Sequence, residues 1–239
     1  MPPVIISVVI PAYKESQLHI TIARLLMQKC KWPYEIIVAE YNPDHETPLF
    51  RFNSPIVSSI EVDKPGIAYA RHQGIMDTVG KVIVNFDADA YFTHNNALEL
   101  LVEPIMSGQA VLCVCDNAFN PTEIKTEADI NAMKTPQSIL DFLNNTQRTV
   151  PFYGFLECGS AMDKEAYMFV GGFKDVKMWE MFDLSPRMFF HYPGMKRWVN
   201  GVIAVTSSRR ALASARYGVK ALDYNTAFRD RDSGPMSVT

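Results

Sequence analysis

Two aspartates, separated by one residue, stand at the end of a predicted strand. Residues 81–86 are mostly apolar and β-branched, which is typical of an interior parallel strand, and Asp87 and Asp89 follow it. Because side chains at i and i+2 of an extended segment point the same way, both carboxylates can address one ligand. Ligands of open α/β sheets bind at the carboxyl ends of strands, where hard oxygen donors suit Mg²⁺ or Mn²⁺ carrying a phosphate substrate. A pair of solvated acids in a loop is the alternative interpretation.

The elements that would position these aspartates alternate between strand and helix patterns. We predict further strands at 4–10, 35–40, 56–62 and 110–115, the first of which is ended by Pro11-Ala12-Tyr13. Apolar residues spaced three and four apart predict helices, marked by Leu18, Ile22, Leu25 and Leu26, by Ile67, Ala70, Gly74 and Ile75, and by Leu98, Leu101, Val102 and Ile105. This rhythm predicts an α/β fold with a doubly wound, mostly parallel sheet and helices on both faces.

The second half of the chain is less regular. We predict a helix at 135–146, a helix capped by Ser185 with Pro186 at its first position, and a short strand at 202–205. With no internal repeat or linker, the sequence indicates one domain at 1–222, divided into halves near residue 116, and a flexible tail at 223–239. Aromatic residues at 152–155 and 178–179 either line a groove or pack in the core.

Composition excludes several classes of protein. The 239-residue chain is 48% hydrophobic with a net charge of −3, so it can build a full core. Acids and bases are interspersed, which does not favour a polybasic surface for nucleic acid or membranes and leaves a local basic groove as the alternative. No apolar run approaches the roughly 20 residues of a transmembrane segment, and no signal peptide is evident. Four cysteines without a Cys-x-x-Cys pair favour reduced thiols in a cytoplasmic protein. The oligomeric state is not indicated.

Several segments, taken in order, resemble the inverting GT-A-fold glycosyltransferases of family-2 type. The resemblance covers nearly everything from residue 4 to about residue 218. The segments are 7–15 (SVVIPAYKE), 34–38 (YEIIV), 66–74 (GIAYARHQG), 87–89 (DAD), 159–173 (GSAM through VGGF), 183–187 (DLSPR) and 205–210 (VTSSRR). The family implies a GT-A, Rossmann-like fold with a donor-binding first half and an acceptor-side second half.

This resemblance implies sugar transfer from a nucleoside diphosphate donor, preferably a UDP-sugar, to a hydroxyl of a glycan, lipid-linked or protein acceptor. The cofactor would be Mn²⁺ or Mg²⁺, with Asp89 as a direct ligand and Asp87 serving the ribose or a metal-bound water. The implied donor site consists of Pro11, Ala12, Tyr13, Glu15, Glu40, Gly66, Arg71, Asp87, Arg209 and Arg210.

Residue chemistry leaves alternatives at four of these positions. Tyr13 either stacks on the base or anchors its loop. Arg71 either reaches the phosphates, holds the aspartates in place, or makes a purely structural ion pair. The pair Arg209-Arg210 either folds over the donor or is a solvated surface pair.

Three departures from the family pattern affect the expected chemistry. Glu40 stands where an Asp usually accepts from the base, which leaves the base preference open. The stretch 206–208 lacks the family's late histidine, and His191 is either a substitute metal ligand or a packed core residue. Met181 occupies the usual position of the catalytic base, so we expect Glu180, and less favourably Asp183, to take that role.

Two functions follow from these residues. The first is an active glycosyltransferase, and the second is a degenerate member of the family that binds nucleotide or glycan without efficient turnover. Both aspartates, with Tyr13 and Glu15, favour the enzyme, whereas the lost base favours the binder. A nucleotidyltransferase could share the sheet, but it typically needs a glycine-rich, basic phosphate loop, and residues 12–15 do not form one.

Overall fold

An eight-stranded sheet lies at the centre of the fold, with strand order β3-β2-β1-β4-β7-β6-β8-β5. The structure is a computed structural model that describes residues 3–43, 50–150, 158–174, 180–209 and 211–213. The strands are β1 Ile6–Ala12, β2 Tyr34–Tyr41, β3 Val57–Val62, β4 Val82–Asn85, β5 Tyr91–Phe92, β6 Leu112–Phe119, β7 Ser160–Asp163 and β8 Lys196–Thr206. The helices are α1 Leu18–Leu26, α2 Ile67–Met76, α3 Ala97–Met106, α4 Glu127–Thr149, α5 Lys164–Phe169 and α6 Glu180–His191, with a short 3₁₀ helix at Pro121–Glu123.

The sheet is mainly parallel, as predicted. β1 pairs in parallel with β2 and β4, β2 with β3, and β6 with β8. β7, which the sequence did not predict, lies antiparallel between β4 and β6. Because β7 is antiparallel to both of its neighbours, β4 and β6 run in the same direction. The carboxyl ends of β1, β4, β6 and β8 therefore lie at the same edge of the sheet.

Helices cover both faces of the sheet, because side chains alternate along a strand. Ile6, Val8 and Ile10 of β1 pack on one face in a core shared with residues of α1 and α3. Val9 points to the other face and packs with residues of α2, α5 and α6. The predicted doubly wound α/β architecture is therefore confirmed.

The boundary of β1 differs from the prediction. The strand continues through Pro11 to Ala12 and stays in register with β2 up to Glu40. Proline is tolerated there because pairing with β4 already ends at Val9, so the missing N–H of Pro11 interrupts no bond on that side.

Two helices also differ from the prediction. α4 begins at Glu127, eight residues before the predicted start, behind a capping box formed by Thr126 and Asp129. In α6 the predicted cap at Ser185 is wrong, because the helix starts at Glu180 and Pro186 lies inside it. Burial of Met181, Leu184 and Met188 on one face outweighs the backbone bond that Pro186 cannot make.

Some predictions fall outside the described residues. They concern the aromatic segments 152–155 and 178–179, Arg210 and the tail 223–239. Among the helices that the structure does describe, none combines the length and the apolar character needed to cross a membrane.

Candidate functional site

The two aspartates follow β4 in a turn, not in an extended segment. β4 ends at Asn85, and the N–H of Ala90 donates to the carbonyl of Asp87 at 3.3 Å. Asp87 and Asp89 therefore do not stand at i and i+2 of an extended segment, as the sequence analysis expected. Their carboxylates instead contact different parts of the protein, which divides the site into two linked groups of charges.

The first group is centred on Arg71 of α2, whose side chain is buried. Its guanidinium donates to Glu180 Oε1 at 2.9 Å and to Asp87 Oδ1. Arg71 therefore ties the start of α6 to the turn after β4. A buried guanidinium with two carboxylate partners has its charge compensated, and it fixes the orientation of Asp87.

The second group is centred on Arg209, which follows β8. Its Nη2 atom lies 2.8 Å from Glu15 Oε1 and 3.4 Å from Asp89 Oδ2. Its Nε atom donates to Ser207 Oγ at 2.8 Å and lies 3.9 Å from Glu123 Oε1. The structure thus brings together the predicted residues Glu15, Asp89 and Arg209, which lie at three different strand ends.

Glu123 is a member of this group that the sequence analysis missed. Its carboxylate accepts from the backbone N–H of Ser208 at 2.5 Å, from Ser207 Oγ at 2.9 Å and from Gln17 Nε2 at 3.2 Å. The predicted strand at 110–115 was too short, because β6 runs to Phe119. Ligands of open α/β sheets bind at the carboxyl ends of strands, which is how the sequence indicated Asp87 and Asp89. With the correct end of β6, the same reasoning indicates Glu123, which lies just beyond that strand.

The residues predicted to bind the nucleotide base lie after β1 and at the end of β2. Tyr13 is buried, and its ring packs at 5.5 Å against the ring of Tyr41. Glu40 Oε2 accepts from the backbone N–H of Phe50 at 2.7 Å, so one of its oxygens already has a backbone partner. Pro11 and Ala12 belong to β1 itself.

Gly66 stands at the cap of α2 with φ = 138°. This conformation is one that residues with a Cβ rarely adopt. It lets the chain turn sharply into the helix that carries Arg71.

The two candidates for the catalytic base are both paired. Glu180 is buried and accepts from Arg71, while Asp183 pairs with Arg187 one turn along α6 and lies 3.7 Å from Lys174. Met181, at the position usual for the base, is buried in the core. Asp183 therefore crosslinks α6 locally, whereas Glu180 is connected through Arg71 to Asp87 in the turn after β4.

The alternative that His191 is a packed core residue is wrong. The side chain is exposed at the end of α6, where its ring packs edge-on against Phe169 and Phe190. Within the described ranges, no group of three or more His, Cys, Asp or Glu residues is arranged to hold a metal ion. The two predicted ligands, Asp89 and Asp87, supply carboxylate oxygens. They fit a Mg²⁺-like or Mn²⁺-like ion that one or two carboxylates hold while phosphates and water complete its shell.

Solved structures similar to this chain are glycosyltransferases. The mannosyltransferase PcManGT from Pyrobaculum calidifontis, in complex with GDP-Man and Mn²⁺, matches with a TM-score of 0.60 and 16% identity over 94% of this chain and 64% of its own. TarS 1-349 from S. aureus, in complex with UDP-GlcNAc, matches with a TM-score of 0.61 and 12% identity over 85% of this chain and 58% of its own. This chain therefore spans about three fifths of the length of these structures. At these identities the likeness shows the fold.

Sequence comparison gives the family directly. No curated protein matches the chain. The family profile described as glycosyl transferase family 2 matches residues 7–171, which is well over half of the sequence and includes β1 except its first residue, all of β4 and both aspartates. The chain therefore belongs to glycosyl transferase family 2, a family of sugar-transferring enzymes.

Proposed function

We propose that this protein is a divalent-cation-dependent glycosyltransferase that moves a sugar from a nucleoside diphosphate donor to an acceptor hydroxyl with inversion. The observation that carries the proposal is the meeting of Asp87, Asp89, Glu15 and Arg209 at one edge of the sheet in a family-2 chain. A diphosphate leaving group gains negative charge as the glycosidic bond breaks, so a site for it needs fixed cationic and hydrogen-bonding groups.

Asp89, assisted by Asp87, would hold Mn²⁺ or Mg²⁺. When bound, the ion would neutralise part of the charge of the departing diphosphate. Arg71 keeps the carboxylate of Asp87 in place, because its guanidinium is fixed by Glu180 from the other side. Arg209 supplies a second positive charge at the same edge, close enough to Asp89 to reach a phosphate bound beside it.

Uridine is the preferred base in this proposal, with Tyr13 and Tyr41 providing aromatic surface and Glu15 and Glu40 providing acceptors. The similar structures were solved with GDP-Man and with UDP-GlcNAc, so both bases belong in the test. The acceptor remains any hydroxyl of a glycan, a lipid-linked molecule or a protein.

Nucleoside diphosphate binding tests the donor site. We expect UDP to raise the melting temperature more than GDP, and Mn²⁺ to increase the shift that UDP causes. Such a shift is measurable, because a ligand at about a hundred times its Kd adds roughly 2.7 kcal/mol to stability. Asp89→Ala should abolish the Mn²⁺ increment, measured by calorimetry, while leaving the unliganded melting temperature nearly unchanged. Equal UDP affinity in EDTA would contradict the metal assignment, and stronger GDP binding would contradict the base preference.

Glu180 is the proposed base that removes the proton from the acceptor hydroxyl. Glutamine at this position can still accept the hydrogen bond from Arg71, so Glu180→Gln should keep the fold and the donor affinity. If Glu180 is the base, transfer should fall by about 10²–10⁴. Asp183→Asn is the matched control, which should chiefly lower stability, because Asp183 pairs with Arg187 within α6. Full activity of Glu180→Gln would remove the assignment.

A second candidate function is nucleotide or glycan binding without turnover. The observation in its favour is that Met181 is buried at the usual base position while both neighbouring acids take part in ion pairs. Hydrolysis of the donor sugar separates the two candidates. Slow release of free sugar from a UDP-sugar, dependent on Mn²⁺ and lost in Asp89→Ala, supports the enzyme, whereas tight donor binding without release supports the binder.

A further inference from the structure

A guanidinium lies among three carboxylates at the site proposed for the divalent ion. The side chains of Glu15, Asp89 and Glu123 are 11%, 13% and 16% exposed, whereas that of Arg209 is 41% exposed. The acids are therefore held in the protein while the cation stands at its surface. The Arg209 side chain is therefore the member of this group that a ligand arriving from solvent can contact most easily.

The contacts of Arg209 differ in length. Its Nη2 atom is 2.8 Å from Glu15 but 3.4 Å from Asp89, and its Nε atom is 2.8 Å from Ser207 Oγ. Ser207 is in turn bonded to Glu123 at 2.9 Å. Arg209 can thus give up Asp89 while Glu15 and Ser207 keep it within reach of the site.

We propose that Arg209 is an internal counter-cation: it occupies Asp89 in the free protein and moves from Asp89 to the diphosphate when donor and divalent ion arrive together. This inference rests on the proposed function, since it needs a diphosphate at this edge. A guanidinium and a divalent ion repel each other at a shared carboxylate, so the ion alone binds weakly. A diphosphate removes that repulsion, because its oxygens accept hydrogen bonds from the guanidinium and their negative charge neutralises its positive charge.

The consequence is positive coupling between the metal ion and the nucleotide, which is reciprocal by thermodynamic necessity. Arg209 would oppose the ion alone and favour the ion together with its diphosphate. A residue that only stabilises the loop after β8 would change both affinities in the same direction. The sign of the two changes therefore separates this role from a structural one.

The experiment measures Mn²⁺ alone by electron paramagnetic resonance and UDP in saturating Mn²⁺ by calorimetry, on the full chain. In Arg209→Gln we expect Mn²⁺ alone to bind about three- to fivefold more tightly, as removal of a surface ion pair allows, and UDP to bind more weakly. Arg209→Lys keeps the positive charge, so its affinity for Mn²⁺ alone should stay close to that of the wild-type protein. Arg197→Gln is the matched control, since Arg197 is an exposed arginine at the opposite end of β8 that donates to Gly194.

Each outcome decides the proposal. Tighter Mn²⁺ binding with weaker UDP binding in Arg209→Gln, and no change in Arg197→Gln, supports it. Unchanged or weaker Mn²⁺ binding, no Mn²⁺ binding in either protein, or tighter UDP binding overturns it while leaving the proposed function in place. If the wild-type protein binds neither UDP nor GDP with Mn²⁺, the proposed function itself fails, and this inference fails with it.

Discussion

At the scale of single residues, the buried ion pair between Arg71 and Glu180 holds together two parts of the site. Both side chains are buried, and Arg71 also donates to Asp87. An ion pair of this kind contributes little net stability compared with apolar residues of the same size, but breaking one partner leaves an uncompensated buried charge. We therefore attribute to it the orientation of Asp87 more than the stability of the fold.

A pair of variants tests this view. Arg71→Met should lower the free energy of unfolding by about 3–5 kcal/mol, because Glu180 is left buried and charged. The double variant Arg71→Met with Glu180→Leu should recover much of that loss, as two apolar side chains replace the pair. Urea denaturation at pH 7 measures both, and the double variant should still bind UDP poorly because Asp87 is no longer held. Equal stability of the single and double variants would show that the unpaired Glu180 carboxylate is not the cause of the loss.

At the scale of elements, the close packing of α2 on the sheet places Arg71 at the end of β4. Gly74 lies where α2 crosses β1 and β2, and a Cβ built there would come within 2.5 Å of Val9 Cγ1 and 3.2 Å of Ala39 Cβ. Glycine is required at this point because no side chain fits between helix and strand. The distance between α2 and the sheet, and with it the reach of Arg71, depends on this contact.

Gly74→Ala should therefore destabilise the protein even though alanine is the better helix former by about 1 kcal/mol. We expect a net loss of about 1–3 kcal/mol from overpacking, measured by urea denaturation, and weaker UDP binding as α2 shifts outward. Met76→Ala is the control, since Met76 is exposed on the same helix. A more stable Gly74→Ala variant would show that the helix can move away from the sheet at no cost.

At the scale of the whole molecule, the reactivity of the cysteine thiols depends on how closely the core around them is packed. Three of the four cysteines are buried, and burial raises the pKa of Cys113 and Cys115 to about 12 and the pKa of Cys158 well above its usual range. Cys30 is only partly buried, although burial also raises its pKa. Since the thiolate is the reactive form, the three buried thiols are protected both by access and by protonation.

We expect an aromatic disulfide reagent at pH 8 to modify one thiol of the folded protein and all four in urea. The thiol that reacts should be Cys30, so Cys30→Ser should remove the reaction of the folded state. The other three should react only as fast as the molecule unfolds, which gives a second measure of stability. Modification of two or more thiols without denaturant would contradict the close packing of the core that contains Cys113, Cys115 and Cys158.

The sequence alone determined the order of strands and helices in the first half, except for the short strand β5, and the position of Asp87 and Asp89 after β4. Both follow from local patterns, namely runs of buried β-branched residues and apolar residues at helical spacing. The same local reasoning failed at Pro11 and Pro186, where neighbouring strands and core burial decide whether a proline is tolerated. Only the tertiary structure decided the partners in the site. Arg71 and Glu180 are 109 residues apart, and Glu123 meets Ser208 through the pairing of β6 with β8. Such contacts depend on the strand order of the sheet, which periodicity within one segment does not specify.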